Sequence, residues 1–297
     1  MQKLTVFTPT FNRIELLERC YNSLKNQSNK NFIWLIIDDG SSDNTELVVN
    51  QWILTENEFK IRYIYKENGG LASAYNEAIK NITTELSVCI DSDDFMPVDA
   101  VDKILKFWDN NGSDKYAGII GLDFYLNDTV IGDRLPNKKS VNLIDLLIGK
   151  YNINNGDRTN VVRTDLYKEV APMRLFEGEK NFNPHYIHLQ ISKKYDFLVL
   201  NENLRYVEYQ DQGMSASILR QYKNSPNSFL ETRKLYLSFN DAPIKFKIKN
   251  SIHYVSSSIL AGKFFKSMLT SPCKLLTIIS IFPGILLTAY INYKTRK

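Results

Sequence analysis

The sequence predicts an α/β protein: a doubly wound, mainly parallel sheet with helices on both faces, a small antiparallel portion further along, and a helical C-terminal extension. Three observations predict it. Strand patterns alternate with helical patterns four times in the first 110 residues, which requires parallel strands joined by crossover helices. The Gly, Pro and acidic clusters of this stretch all fall just after the strands, on the edge where such sheets bind ligands. Composition then changes at Pro243. From there to Lys297 the chain has nine Lys or Arg and no Asp or Glu, which leaves 28 basic and 33 acidic side chains ahead of it.

The elements follow in order. Leu4-Thr5-Val6-Phe7-Thr8 reads as the first strand, stopped by Pro9, which cannot donate to a ladder. Ile14, Leu17, Cys20 or Tyr21, and Leu24 recur at helical spacing. Phe32 to Ile37 is the second strand and ends in Asp38-Asp39-Gly40-Ser41-Ser42-Asp43. Ser42 or Asp43 is placed to cap a helix whose buried face is Leu47, Val48 and Trp52. Ile61 to Tyr65 is the third strand, followed by Asn68-Gly69-Gly70 and the helix-favouring run Leu71 to Ile79. Leu86 to Ile90 is the fourth, and Ala100 to Trp108 the helix after it. Beyond these, residues 121–134 read as a β-hairpin, Phe197 to Leu200 and Leu204 to Tyr209 as two strands, and Asp211 to Ser215 as a loop into a helix bearing Arg220 and Lys223. Three parts are expected, 1–110, 111–240 and 241–297.

The fourth strand carries the chemistry. A buried strand that ends in Asp91, Asp93 and Asp94 is costly unless its charge is compensated. A divalent cation holding a diphosphate compensates it, because Mg²⁺ and Mn²⁺ take oxygen ligands from one or two carboxylates plus substrate phosphates. Gly69 and Gly70 let backbone approach such a diphosphate. Asp38 and Asp39 point opposite ways on a strand, so one suits capping and the other binding. The three cysteines, Cys20, Cys89 and Cys273, are odd in number and widely spaced, and read as buried free thiols in a reducing cytoplasm. His185 and His188 lack the companion ligands of a zinc site. No secretory leader is read, since Met1-Gln2-Lys3-Leu4 runs directly into a strand pattern.

Four stretches together resemble the family 2 inverting glycosyltransferases, nucleotide-diphospho-sugar transferases with the GT-A fold. They are Val6-Phe7-Thr8-Pro9-Thr10-Phe11-Asn12-Arg13, Ile36 to Thr45 around Asp38-Asp39-Gly40, Asn68 to Asn76, and Asp91-Ser92-Asp93-Asp94. The resemblance is close over the first 110 residues, looser to Asn240 and absent afterwards. It implies that Thr8, Pro9 and Thr10 hold the base and ribose of a UDP-sugar through backbone groups, and that Asp39 accepts the uracil N–H. It implies that Asn68, Gly69 and Gly70 approach the diphosphate, that Asp91 and Ser92 face the donor, and that Asp93, with Asp94, holds Mn²⁺ or Mg²⁺. By the same resemblance an acidic residue further on is the general base. Glu179 is the first candidate and Glu177 the second, although this chain lacks the family's adjacent Glu-Asp pair. Asp157 and His185 are candidates for acceptor contact, and Arg220 and Lys223 for the donor diphosphate.

The tail alternates lysines with apolar residues. It then presents an uncharged stretch, Leu275 to Tyr290, too short to span a bilayer and expected to break at Pro283-Gly284. It is read as a peripheral anchor on the inner face of the cell membrane, with self-association of the chain as the alternative. The expected activity is metal-dependent, inverting sugar transfer to a glycan or lipid-linked acceptor, in the synthesis of bacterial surface polysaccharide or a related glycoconjugate. No nucleic-acid partner is expected. The rival readings are a nucleotidyltransferase, disfavoured because the loop after the first strand has no glycine, and a non-catalytic scaffold.

Overall fold

The computed structural model describes residues 2–154, 156–209 and 217–296. The chain forms two compact units, one of residues 1–173 and 187–208, the other of 174–186 and 209–297. These divisions differ from the expected cuts at 110 and 240, because the strands beyond residue 110 join the same sheet as those before it.

In the first unit β1 (Leu4–Thr10), α1 (Ile14–Lys25), β2 (Phe32–Asp38), α2 (Thr45–Thr55), β3 (Lys60–Tyr65), α3 (Leu71–Asn81), β4 (Leu86–Cys89) and α4 (Ala100–Asn111) alternate as expected. β1 pairs in parallel with both β2 and β4, and β2 with β3. All seven residues of β2 are buried, because helices cover both faces of a parallel sheet. β3, at the sheet edge, is buried only in part. β1 continues through Pro9 instead of stopping there. The carbonyl of Phe7 accepts from Ile90 N at the last β4 rung, and Pro9, two residues on, faces the same side, where β4 has ended. No ladder bond is therefore lost. On α2 the buried face is Thr45, Val49 and Trp52, and Leu47, expected inside, is exposed. Trp34 of β2 is fully buried, stacks at 5.9 Å on both Tyr21 and Trp52, and donates to Thr8 Oγ1 at 3.0 Å.

The unit continues with β5 (Tyr116–Phe124), β6 (Ser140–Val141), α5 (Leu143–Leu147), β7 (Arg158–Arg163), α6 (Thr164–Val170), the greater part of α7 (His185–Ser192) and β8 (Asp196–Tyr206). The eight strands lie in the order β3-β2-β1-β4-β7-β5-β8-β6. Pairing is antiparallel at β4–β7, β7–β5 and β8–β6, and parallel elsewhere. The hairpin expected over 121–134 does not form. Its first arm is the end of β5, and only a tight turn with the isolated bridge Phe124–Val130 remains of it. The two strands expected from 197 onward are one strand, β8. Its register against β5 jumps between the pairs Gly121–Leu200 and Leu122–Asn203, so residues 201 and 202 bulge out.

The second unit is helical: α8 (Ile218–Asn224), α9 (Pro226–Leu237), α10 (Ile244–Leu260), α11 (Phe264–Thr270), α12 (Lys274–Ile279) and α13 (Ile281–Lys294). α13 runs through Pro283-Gly284 without a break. Pro283 sits in the first turn, where its missing N–H has no intrahelical partner to lose, and the chain interrupts the helix at Ser280 instead. No helix among the described residues is long and apolar enough to cross a membrane.

The Trp34 stack is the largest single packing term near the start of the sheet. Trp34→Ala is expected to cost about 4 kcal/mol of unfolding free energy, combining a cavity with an orphaned Thr8 hydroxyl. Urea unfolding followed by circular dichroism measures it, and a loss below about 1 kcal/mol would contradict the packing described.

Candidate active site

The four loops that leave the parallel strands are tied to one another by hydrogen bonds. The loop after β1 meets the loop after β2: Asn12 N donates to Ser41 Oγ at 2.8 Å, and Ser42 N to Asn12 Oδ1 at 2.7 Å. The loop after β2 meets the loop after β3 through Asp39. Its Oδ1 accepts from Lys66 Nζ at 2.6 Å and Gly69 N at 3.0 Å, and its Oδ2 from Gly70 N at 2.7 Å. Asn68 Nδ2 adds a bond to the Asp39 carbonyl at 2.7 Å. The loop after β1 also meets the acidic turn after β4, where Arg13 Nη1 lies 3.1 Å from Asp93 Oδ2 and Arg19 donates to the Asp93 carbonyl.

Local sequence explains this stitching. Asp38 and Asp39 do diverge. Asp38 is fully buried, accepting from Ser41 N at 2.7 Å and from Tyr63 OH at 2.6 Å, so it holds its own turn. Asp39 takes the other direction and holds the glycine loop. Gly70 has φ +85, a conformation that L side chains rarely adopt, and a Cβ on Gly40 would lie 2.8 Å from Asn68 N. Three of the acceptor positions of Asp39 are filled, leaving one for a ligand N–H. Thr8 is fully buried within the β1–β2 ladder, and its hydroxyl is committed to Trp34. Pro9 is half-buried, and Thr10 Oγ1 is buried with no hydrogen-bond partner among the described residues. An orphaned hydroxyl beside Asp39 N, which donates to Thr10 O at 2.9 Å, is an open polar position at the end of β1.

The acidic turn has a counter-ion that the sequence did not reveal. Arg205 of β8 places Nη1 3.3 Å from Asp94 Oδ2 and 3.7 Å from Asp91 Oδ2, and its Nε donates to Asp123 Oδ2 at 3.1 Å. Asp123, fully buried on β5, also accepts from Thr159 Oγ1 at 2.6 Å. The β8 bulge sets the register that brings Arg205 opposite Asp123. Asp94 is only 4% exposed. Burial pushes its carboxyl up to about 8; Arg205 opposes the shift, and Asp91, Asp93 and Asp123 add to it. The resemblance offers Asp94 either as a metal ligand or as a support behind one; its carboxyl is inside the protein, beside a guanidinium. Asp93 and Asp91 differ, with side chains 20% and 47% exposed. Ser92 is buried between them. Among the described residues no group of three or more His, Cys, Asp or Glu side chains is arranged to hold a metal alone. The half-open pair Asp91 and Asp93 suits an ion that takes its other ligands from a diphosphate.

The downstream acids part company in the second unit. The Glu179 carboxylate accepts four bonds at the start of α9: Asn227 N at 2.8 Å and Asn227 Nδ2 at 2.7 Å on one oxygen, Ser228 N at 2.8 Å and Ser228 Oγ at 2.7 Å on the other. It satisfies the free N–H groups of a helix terminus, and an incoming proton would have to displace one of these donors. Glu177 is exposed in the preceding turn. His188 is buried against Tyr167, with Nε2 2.6 Å from the phenol oxygen. Arg220 and Lys223 are exposed on α8, and the loop Asp211 to Ser215 ahead of them lies outside the described residues.

Two predictions follow from this geometry. A carboxyl raised in the folded state is protonated there and ionised in the unfolded chain, so the folded state binds more protons between the two pKa values. Stability in metal-free buffer is therefore expected to fall as pH rises from about 4 to about 8, and Asp94→Asn to flatten that fall; thermal melts at both ends of the range measure it. Glu179→Ala is expected to lower unfolding free energy by about 2 kcal/mol by orphaning the α9 donors, and an unchanged melting temperature would count against the capping role.

Comparison with known proteins gives this geometry a family. The description Glycosyl transferase family 2 matches residues 5–176. An uncharacterized glycosyltransferase of Rickettsia felis is 37% identical over 109 residues, 37% of this chain and 18% of that protein. The GalNAc(5)-diNAcBac-PP-undecaprenol beta-1,3-glucosyltransferase of Campylobacter jejuni is 28% identical over 158 residues, 51% of this chain and 49% of the relative. The first curated relatives are thus matched over a fifth or less of their own length. Among solved structures, S. aureus TarS 1-349 in complex with UDP-GlcNAc superposes with a TM-score of 0.59 at 17% identity, covering 98% of this chain and 91% of that one. The mannosyltransferase PcManGT from Pyrobaculum calidifontis, in complex with GDP-Man and Mn²⁺, gives 0.60 at 15% identity, covering 99% and 88%. The strand order, the loops tied across one sheet edge and a match over more than half of the chain lead to one conclusion: the chain belongs to glycosyl transferase family 2, on a GT-A fold.

Proposed function

We propose that the chain transfers a sugar, with inversion, from a UDP-sugar to an acceptor hydroxyl, assisted by Mn²⁺ or Mg²⁺. The observation that carries the reading is the tying of the four post-strand loops, which gathers Thr10, Asp39, Gly69, Gly70, Asp91 and Asp93 along one sheet edge. The open acceptor position on Asp39 and the orphaned Thr10 hydroxyl supply polar contacts for base and ribose. Asn68, Gly69 and Gly70 bring backbone towards the diphosphate, and Asp91 and Asp93 hold the cation. A bound divalent cation neutralises the charge that develops on the leaving diphosphate. The acceptor oxygen attacks the anomeric carbon from the face opposite the leaving group, its proton passes to a carboxylate, and the nucleoside diphosphate departs with the bonding pair. Glu177 is the better base of the two downstream acids, because Glu179 is occupied at α9.

The acceptor we infer is a lipid-linked glycan at the inner face of the cell membrane, within surface polysaccharide or glycoconjugate synthesis. The C. jejuni relative, whose name includes an undecaprenol-linked acceptor, supports this, as does the basic tail. The neighbours in complex with UDP-GlcNAc and with GDP-Man and Mn²⁺ support a nucleotide-sugar donor and a divalent metal.

A panel of UDP- and GDP-sugars, assayed with and without Mn²⁺ for release of nucleoside diphosphate, tests the reading. Metal-dependent release from one UDP-sugar is expected. Release of pyrophosphate would identify a nucleotidyltransferase instead. Asp93→Ala is expected to lower turnover by roughly a hundredfold or more with the fold retained. Asp39→Ala is expected to raise the donor KM about tenfold, since it loosens the glycine loop and removes one acceptor.

A further inference from the structure

We propose that the outward face of α11, α12 and α13 docks on an anionic lipid bilayer. These helices carry their polarity inside out. On α13 two of the three buried residues are small or polar: a Cβ on Gly284 would lie 2.4 Å from Val255 Cγ1, and Thr288 bonds to Ser256 Oγ at 3.0 Å, with Ile291 the third. Inward on α12 lies Thr277, fully buried and 2.6 Å from Ser271 Oγ. Their partner α10 meets them with Ser256 and Val255, and with Tyr254, whose hydroxyl donates to Ser267 O at 3.0 Å. Six large apolar side chains of α11, α12 and α13 point the other way. Phe265, Leu269, Leu275, Ile279, Phe282 and Leu286 are between 55% and 81% exposed. A helix pair packed in water buries its large apolar residues and shows its polar ones. Small and hydroxylated residues between helices, with leucine and phenylalanine outside, is the packing that suits lipid surroundings.

Charge selects the occupant. The apolar residues are flanked by Lys263, Lys266, Lys274, Lys294 and Arg296, in a segment without a single carboxylate side chain from Pro243 to Lys297. A second copy of the chain would bring the same sign of charge to the same face, whereas anionic headgroups bring the opposite sign. The helices are too short to cross, so they lie in the interfacial plane with their outward side chains among the acyl chains. The inference rests on the proposed lipid-linked acceptor only for its purpose; the docking itself needs no sugar transfer.

The test uses the full chain without donor, co-sedimented with vesicles of phosphatidylcholine alone or mixed with phosphatidylglycerol. Binding to the mixed vesicles is expected, and weakening as salt is raised. The exposed triple variant Phe265→Ser/Phe282→Ser/Leu286→Ser is expected to bind at least about tenfold more weakly. Lys266→Glu/Lys274→Glu, which leaves the apolar residues in place, is expected to lose roughly tenfold on mixed vesicles. No sedimentation of the parent chain with mixed vesicles, or sedimentation of both variants equal to that of the parent, would overturn the proposal. So would concentration-dependent dimerisation that the triple variant abolishes in the absence of vesicle binding, since the face would then join two copies. Donor hydrolysis on the same triple variant is expected at the parental rate. A parent chain that binds vesicles but hydrolyses no nucleotide sugar would refute the transfer reading and leave the docking intact.

Discussion

The fold confronts one electrostatic constraint: β4 runs through the middle of the sheet and ends in three carboxylates. Burying even one ionised carboxylate without a partner is prohibitive. The protein meets this with two guanidinium groups, Arg13 on Asp93 and Arg205 on the inner carboxyls, and with a raised Asp94 carboxyl. Arg205 stands beside Asp91, Asp94 and Asp123 at once, and its planar fork can serve several oxygens where an ammonium would serve fewer. Asp94 and Asp123 are thereby absorbed into the interior, while Asp91 and Asp93 stay half-open towards solvent. One acidic cluster is thus divided into an inner pair that supports and an outer pair that is available to a ligand.

A second carboxylate does comparable work on the neighbouring loops. Asp39 converts two consecutive backbone N–H groups, which a glycine loop would otherwise leave to water, into a fixed structure. The cost of ordering Asn68-Gly69-Gly70 is met by charge-assisted hydrogen bonds within the protein, before any ligand arrives. With Arg13 reaching Asp93 from the far side, the loops form one connected network. The shape of the sheet edge therefore does not depend on a ligand to assemble it.

Much of this was legible in the sequence because parallel strands are buried on both faces and read as unbroken apolar runs, as Phe32 to Ile37 does. The acidic and glycine clusters were legible for the same reason, since they are the only polar interruptions between such runs and helices. What was hidden had partners far along the chain. Arg205 meets Asp123 across 82 residues, and Glu179 meets Asn227 across 48, so no local pattern announces either bond. Glu179 read as a free acid because the helix terminus it caps lies far downstream. The inward face of α2 was misread by two positions, with Val49 taking the place of Leu47, because Thr45 and Trp52 set the stripe and a threonine does not register as apolar. A hairpin was read over 121–134 because a tight turn at Asn127-Asp128 looks the same whether or not its second arm extends.

The position of Arg205 on β8 also bears on how the chain is made. All four post-strand loops have been synthesised once residue 110 has left the ribosome, yet the guanidinium beside the inner carboxylates arrives only with the last strand but one in the sheet order. Until then Asp94 has no guanidinium beside it, and its carboxyl, raised to about 8 by burial, enters the interior in the protonated form. The loops of the sheet edge read as local in sequence, yet the ion cluster behind them closes only when vectorial synthesis has reached β8.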